Sequence, residues 1–410
     1  MGGRLDDWPT TPSEESRWDA LRGQFLGDPE QIYLNTGSWG ILPRPVYETM
    51  AAAVLERELN PTRNRTRLLD GVREARERLA GFVGASASDL TFLTNVTVAI
   101  NVVVNGLRWQ PGDELLASDQ EYGAINNCLH NASERWGVTV RRAEIPVPPA
   151  CPEDILRAFE AGFTDRTRLV LCSHITSGTG LIVPVKALAD LAHAHGAWIA
   201  IDGAHAPGMI PLDLEAYGCD FYGGNCHKWL CAPKGVGFLH VAPDMQEQIQ
   251  HLVVGWGYST EGTTADESGR PLIGGEPYMW GIGKWGTFSM PEQIATGEAV
   301  RFQEEVGRER IAARGRQLAA YVRRRMADHG WAELVSPSHP DLTGSISAFL
   351  LHGFGDMNLR EALFERYQIT AAVSPRGTPH RARVSTHIYN TFAEIDRFVE
   401  ALEELHAEAS

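Results

Sequence analysis

The stretch that decides the fold is RLVLCSHITSGTGLIVPVKALADLAHAHGAWIAIDGAHAPGMIPLDLEAYGCDFYGGNCHK, residues 168–228. An apolar run at 168–173 gives way to a helical pattern at 185–195, and apolar runs return at 197–201 and 219–223. Short buried runs alternating with helix-length stretches predict parallel strands joined by crossover helices. Working outward, the same rhythm gives strands at 90–94 (LTFLT), 113–117, 138–144 and 235–241, with helices at 97–107, 123–136 and 153–162. The expectation is an α/β chain built on a mainly parallel seven-stranded sheet with helices on both faces.

On either side the texture changes. Helices are expected at 46–59 and 70–83, separated by a break at 61–65 (PTRNR). The segment 255–290 is rich in Gly and aromatic residues and too long for an ordinary connection, which suggests a functional loop or an arm reaching another subunit. A long helix over about 292–329 leads to an α+β unit with elements at 343–351, 355–367 and 380–386, closed by a helix at 393–408. The division expected is an N-terminal segment 1–61 packing with the small domain, a large domain 62–290 and a small C-terminal domain 291–410.

Composition excludes several function classes. The chain has 410 residues with 43% hydrophobic content, enough for a sizeable core, and a net charge of −15 with no basic run. Nucleic acid and anionic membrane are therefore not expected partners. No apolar stretch approaches the ~20 residues of a membrane-spanning helix, and the N-terminus has no apolar signal core, so a cytoplasmic protein is expected. Six cysteines show no CxxC pair, so neither a disulfide framework nor a zinc ribbon is indicated. His193 and His195 stand two apart on a helix and so on different faces; they read as surface residues, and no metal is expected.

The chemistry sits at the predicted strand ends. Ser177 follows one strand, Asp202 closes the next 25 residues later, and Lys228 follows another after 26 more. A strand, crossover helix and strand take ~30 residues, so all three fall at the carboxyl edge of one sheet, where open α/β folds bind ligands. A carboxylate at a strand end, a lysine in a Gly/Asn/His turn and a threonine opening a helix are the parts that hold pyridoxal 5'-phosphate. Lys228 supplies the Schiff base, Asp202 keeps the ring nitrogen protonated, and Thr97 at a helix start offers donors to the phosphate. Asn225 and His227, flanking the lysine turn, complete that cup.

DGAHAPG, then NCHKWLCAPKGVGFL, with TNVTVAI and DQEYGA upstream, resembles the class V aminotransferase-fold PLP enzymes, fold type I, particularly the isopenicillin N epimerase-like group, over roughly residues 31–400. The resemblance implies Lys228 as the Schiff-base lysine, Asp202 as ring-nitrogen partner, His205 at the ring face or its phenolic oxygen, and Ser177 near that oxygen. It implies Tyr122 stacked on the ring, with Val96 (through its backbone), Thr97, Asn225 and His227 on the phosphate. Thr287, in KWGT, resembles a threonine lent to the neighbouring subunit of a homodimer with shared active sites. Arg383, in RARVSTHIYNT, matches an arginine that binds the substrate carboxylate. Many relatives read WxGTRDPS where this chain has KWGTFSM, so an Arg-Asp pair is missing and substrate choice is open. Desulfurases of this fold use a mobile-loop cysteine well after the lysine. Here the last cysteine is Cys231, which argues against a persulfide-forming desulfurase.

The expected reaction begins with transimination by an α-amino acid and loss of one Cα substituent. Trp256, Tyr258, Tyr278, Trp280 and Trp285 suggest a wide pocket, and hence β-elimination with C–S cleavage of a bulky S-substituted cysteine in secondary metabolism. Epimerisation with Tyr122 as acid, transamination or decarboxylation-coupled oxidative deamination, and a non-catalytic binding module are the alternatives.

Overall fold

The computed structural model describes residues 12–256, 258–267, 269–273 and 275–409; the first eleven residues of the expected N-terminal segment lie outside them. A seven-stranded sheet runs in the order Leu90–Leu93, Gly237–Val241, Phe221–Asn225, Trp198–Gly203, Thr167–Ser173, Glu114–Ser118, Thr139–Ala143. Only Gly237–Val241 runs against the rest. Strand side chains alternate between two cores. Leu116, Val170, Cys172, Ile199, Ile201 and Tyr222 pack on one face, while Leu115, Leu169, Leu171, Ala200 and Phe221 pack on the other. Burial on both faces explains why these strands read as continuous apolar runs. It also leaves the polar residues at their carboxyl ends on one edge.

Helix Val96–Gly106 is apolar almost throughout and lies against the sheet, its start capped by Asn95 Oδ1, which accepts from Val98 N at 3.0 Å. Helices Gly123–Trp136, Pro152–Glu160 and Val185–Ala194 fall where the sequence pattern puts them. The long helix expected over 292–329 is instead two, Met290–Val306 and Arg308–Ala327. Gly307 separates them with φ of 99°, a conformation side-chain-bearing residues avoid. The 255–290 segment also holds more structure than a loop. Thr263–Ala265, Pro271–Ile273 and Glu276–Pro277 form a small antiparallel sheet, and helix Tyr278–Gly283 buries Tyr278, Met279 and Ile282 in the core.

Beyond it, an antiparallel sheet runs in the order Ala332–Leu334, Ile346–Leu351, His380–Ser385, Ala372–Val373. Its core takes in residues of helices Arg308–Ala327, Leu359–Tyr367 and Phe392–Ala409. Ile32–Tyr33 pairs in parallel with Ile369–Thr370, and Ser385 N donates to Leu34 O at 2.8 Å. This pairing carries residues 35–40 across the end of the C-terminal sheet and towards the carboxyl edge of the large one. No helix among the described residues is long and apolar enough to cross a membrane.

Candidate active site

Strand ends supply the centre of the site. Asp202, one residue from the end of its strand, is 2% exposed and accepts from Ala204 N at 2.9 Å. Burial pushes its carboxyl up, against hydrogen bonding from Ala204 and the pull of Lys228. Lys228 follows the strand Phe221–Asn225 in a tight turn, and its Nζ lies 3.2 Å from His205 Nε2. Desolvation lowers the lysine to about 8; Asp202 raises it and Arg383 adds to the lowering. His205 is driven well below its usual range, first by burial and then by Lys228 and Arg383. All these groups line one cavity of about 460 Å³.

Val96, Thr97, Asn225 and His227, the residues expected on the phosphate, all line this cavity. Asn225 Oδ1 accepts from Val96 N at 2.9 Å. The Val96 N–H thus has Asn225 as its acceptor within the chain, while both residues line the cavity. Thr97, half-buried at the same helix start, remains at the cavity, where the helix dipole favours an anion. His227 donates Nδ1–H to Val236 O at 3.1 Å, and burial lowers its pKa to about 4. Its imidazole is neutral in the working range.

Arg383 reaches the cavity from the C-terminal sheet. Nη1 donates to Ser177 O at 3.2 Å and Ser177 Oγ at 3.0 Å, while Nη2 donates to Asn35 Oδ1 and Ser38 Oγ, both at 3.2 Å. Nε has no partner. Ser177 thus orients the arginine. The guanidinium faces only neutral oxygens, and burial lowers its pKa. Gly37 allows this approach: a Cβ there would lie 2.7 Å from Ser385 Oγ and 3.2 Å from Arg383 Nη2. Tyr122, the residue before helix Gly123–Trp136, is 52% exposed at the same cavity. Of the residues expected on the cofactor or the substrate carboxylate, Thr287 alone lies elsewhere, exposed and outside this cavity; the aromatic residues of 256–285 expected to wall the pocket lie outside it too. A larger cleft of about 790 Å³ adjoins it and shares Trp39 and Lys234, but none of the strand-end groups reaches it.

Residues 32–398 match the family model for aminotransferase class V. The chain is 38% identical to the isopenicillin N epimerase of Streptomyces clavuligerus, over 95% of this chain and 99% of that one. It is 39% identical to the isopenicillin N epimerase of Amycolatopsis lactamdurans, over 95% and 98%. Among solved structures, a cysteine desulfurase from Thermococcus onnurineus superposes with a TM-score of 0.82 at 19% identity, covering 95% of this chain and 98% of that one.

The chain belongs to the class-V aminotransferase family. Its fold is that of the fold type I PLP enzymes, and class-V aminotransferases are enzymes that work through pyridoxal phosphate. The donor set of this class-V member fits the group. Asp202 is a buried carboxylate with one backbone donor and no ion-pair partner among the described residues, a deficit that a protonated ring nitrogen removes. Lys228 offers an amine with a depressed pKa, and Thr97, at the start of helix Val96–Gly106, and His227, on the lysine's turn, line the same cavity.

Several residues of this class-V site were not singled out from the sequence. Asn35, Gly37 and Ser38 belong to NTGSWG, whose Gly and small polar residues signal a turn without saying where it lands. Glu121 is fully buried beneath the cavity. It accepts from Ser118 Oγ, from Ser173 N at 3.1 Å and from Ser173 Oγ at 2.6 Å. Burial raises it to about 7, with the hydrogen bonds opposing and Asp202 adding to the rise. Nothing in DQEYGA distinguishes this glutamate from a surface one.

Proposed function

We propose that this chain binds pyridoxal phosphate through Lys228, Asp202, Thr97 and His227, and moves the proton at Cα of an α-amino acid in the manner of an epimerase. The observation that carries the reading is the pairing in one cavity of a buried amine, Lys228, with a buried guanidinium, Arg383, that has no anionic partner among the described residues. A substrate α-carboxylate supplies what Arg383 lacks, as a charge-assisted pair. When bound, the cofactor supplies an aldehyde that condenses with amines and a ring that accepts the electron pair released at Cα. Lys228, lowered to about 8, has enough free amine near neutrality to take and return a proton. Asp202 holds the ring-nitrogen proton. Ser177, Asn35 and Ser38 fix the plane of Arg383 and so the orientation of the bound amino acid. Tyr122 is the hydroxyl we assign to the opposite face, where an epimerase needs a second proton donor.

Two relatives are named isopenicillin N epimerases and align over nearly the whole chain, which favours this reading. The elimination reading drew on an aromatic wall, and within one chain that support is missing. Tyr278 Oη donates to Ile249 O at 3.0 Å, Trp280 lies under Arg73 and Arg76, Trp256 is 93% exposed, and neither Tyr258 nor Trp285 lines the cavity. We further assign the exposed Thr287 to a second copy of the chain, in a homodimer whose partner receives its hydroxyl at the phosphate.

The test is incubation of the purified protein in heavy water with single enantiomers of amino acids, isopenicillin N included. Deuterium at Cα with inversion is expected, together with a visible absorption band that borohydride bleaches and Lys228→Ala removes. Release of pyruvate and thiol from an S-alkyl cysteine without inversion of any substrate transfers the assignment to C–S cleavage. A colourless protein that cannot be loaded with the cofactor leaves only a binding module.

A further inference from the structure

Trp229, one residue beyond the lysine, constrains the protons of its neighbours. Its side chain is 1% exposed, and Nε1–H donates to His205 Nδ1 at 3.2 Å. An indole nitrogen only donates. Nδ1 is therefore the acceptor, and the single proton of a neutral imidazole sits on Nε2. That nitrogen faces Lys228 Nζ at 3.2 Å. An ammonium also offers donors alone, so Nε2–H against a charged lysine sets donor against donor. The contact is a hydrogen bond only when Lys228 presents a lone pair. A second proton on His205 would break the indole bond and bury an imidazolium, 2% exposed, beside the same amine.

We propose that Trp229 is a positioning residue that locks His205 in the Nε2-protonated neutral tautomer, so that His205 is a fixed donor towards Lys228 and biases Lys228 towards the free amine. The indole is itself held. Its backbone carbonyl accepts from Gln303 Nε2 at 2.6 Å and from His387 Nε2 at 2.9 Å, and the His387 ring stacks on it at 5.9 Å. These contacts come from helix Met290–Val306 and from the residues after strand His380–Ser385, so both C-terminal elements fix the direction of the Nε1–H. The other charged or titratable groups facing the pair are Asp202 from the large sheet, Arg383 from the C-terminal sheet and His227 on the lysine's own turn. None of them hydrogen-bonds either ring nitrogen of His205 among the described residues. Burial lowers both His205 and Lys228, in the direction the hydrogen-bond pattern requires.

Two consequences follow for the chemistry. His205 cannot act as a base through Nε2, because that nitrogen carries the proton whenever the indole bond is made. A larger fraction of the lysine is free amine near neutrality, and so able to condense with an aldehyde, than an ordinary lysine offers. Removing the indole N–H releases both constraints: the proton can move to Nδ1, and Nε2 can then accept from a lysine ammonium. Trp229→Phe should therefore raise the Lys228 midpoint.

The experiment has two arms. In the cofactor-free full-length chain, the rate of reductive methylation at Lys228 is followed against pH by mass spectrometry, for wild type and Trp229→Phe. The wild-type midpoint is expected near the depressed value of about 8. In the variant it rises by about one pH unit, which is about a tenfold fall in free amine at neutral pH. In the second arm, nitrogen NMR of ring-labelled histidine in the wild-type, cofactor-loaded protein reads the tautomer directly, the resonance being assigned by its loss in His205→Asn. A protonated Nε2 and a bare Nδ1 are expected from about pH 6 to about pH 9. A protonated Nδ1, or a Lys228 midpoint that stays in place in a folded Trp229→Phe protein, overturns the proposal. The NMR arm needs no change at Trp229, so the proposal stays testable if the variant does not fold.

Discussion

Glu121→Gln separates the electrostatic cost of the site from its packing. The wild-type carboxyl is held at about 7 against an ordinary value of 4.5, chiefly by burial. A folded-state value above the unfolded one means that the native chain binds this proton more tightly. The associated stability is fully present below about pH 4.5 and is lost as pH rises to about 7. Two and a half units at about 1.4 kcal/mol each give roughly 3 kcal/mol. Glutamine keeps the shape without the charge. Its Oε1 still accepts from Ser118 Oγ and Ser173 N, and its Nε2 donates to Ser173 Oγ once that hydroxyl turns. Paired urea titrations of the cofactor-free proteins should therefore show the variant gaining stability on wild type by roughly 3 kcal/mol between about pH 4.5 and about pH 8. Titrating groups that do not interact with Glu121 cancel in the paired difference; Asp202, which adds to the rise, is the coupled exception. A difference that stays flat, or that falls with pH, would refute the argument that burial controls this carboxylate.

Arg383→Lys keeps the charge and loses the planar fork. Loss of one charge-assisted hydrogen bond, about 1.5–3 kcal/mol, predicts a tenfold to hundredfold fall in kcat/KM, carried mainly by KM, with the visible cofactor band unchanged; steady-state kinetics beside an absorption spectrum checks it. Gly37→Ala places a Cβ 3.2 Å from the same guanidinium and 2.7 Å from Ser385 Oγ, so KM should rise several-fold while cofactor binding, read by the same spectrum, stays as in wild type.

The sequence makes Asp202 and Lys228 legible because each follows from its own strand and turn, and their spacing depends only on the size of a strand-helix-strand unit. Arg383 is of another kind. Its place depends on Ile32–Tyr33 joining Ile369–Thr370 and on Leu34 accepting from Ser385, pairings between residues more than 300 apart that no local pattern encodes. Ser177 illustrates the limit. Its place just after a strand is legible, but its partner, the Arg383 guanidinium, comes from the other sheet. The bond from Val96 N–H to Asn225 is equally hidden, since both residues are expected on the phosphate and spacing does not say which donor meets which acceptor. The small strands in 263–277 are two or three residues long, too short for a period-two pattern to register. Gly307 reads as one tolerated glycine in a helical pattern until its φ is known.

The four central ionisable groups share one property, a charge made costly by burial with no full counter-charge among the described residues. Asp202 and Glu121 are pushed up, Lys228 and Arg383 down, and in each case desolvation is the largest cause. Were the site a structural ion-pair cluster, its acids and bases would meet; none of the four forms an ion pair among the described residues. Instead Asp202 and Arg383 are held apart across a cavity of about 460 Å³, each with neutral hydrogen-bond partners that fix its direction and leave its charge unanswered. A ligand with a cationic nitrogen for Asp202 and a carboxylate for Arg383 removes both penalties at once. Such a ligand binds the folded chain and not the unfolded one, so its free energy of binding appears directly as stability. The instability built into the empty cavity and the affinity of the filled one are the same electrostatic term read in two states.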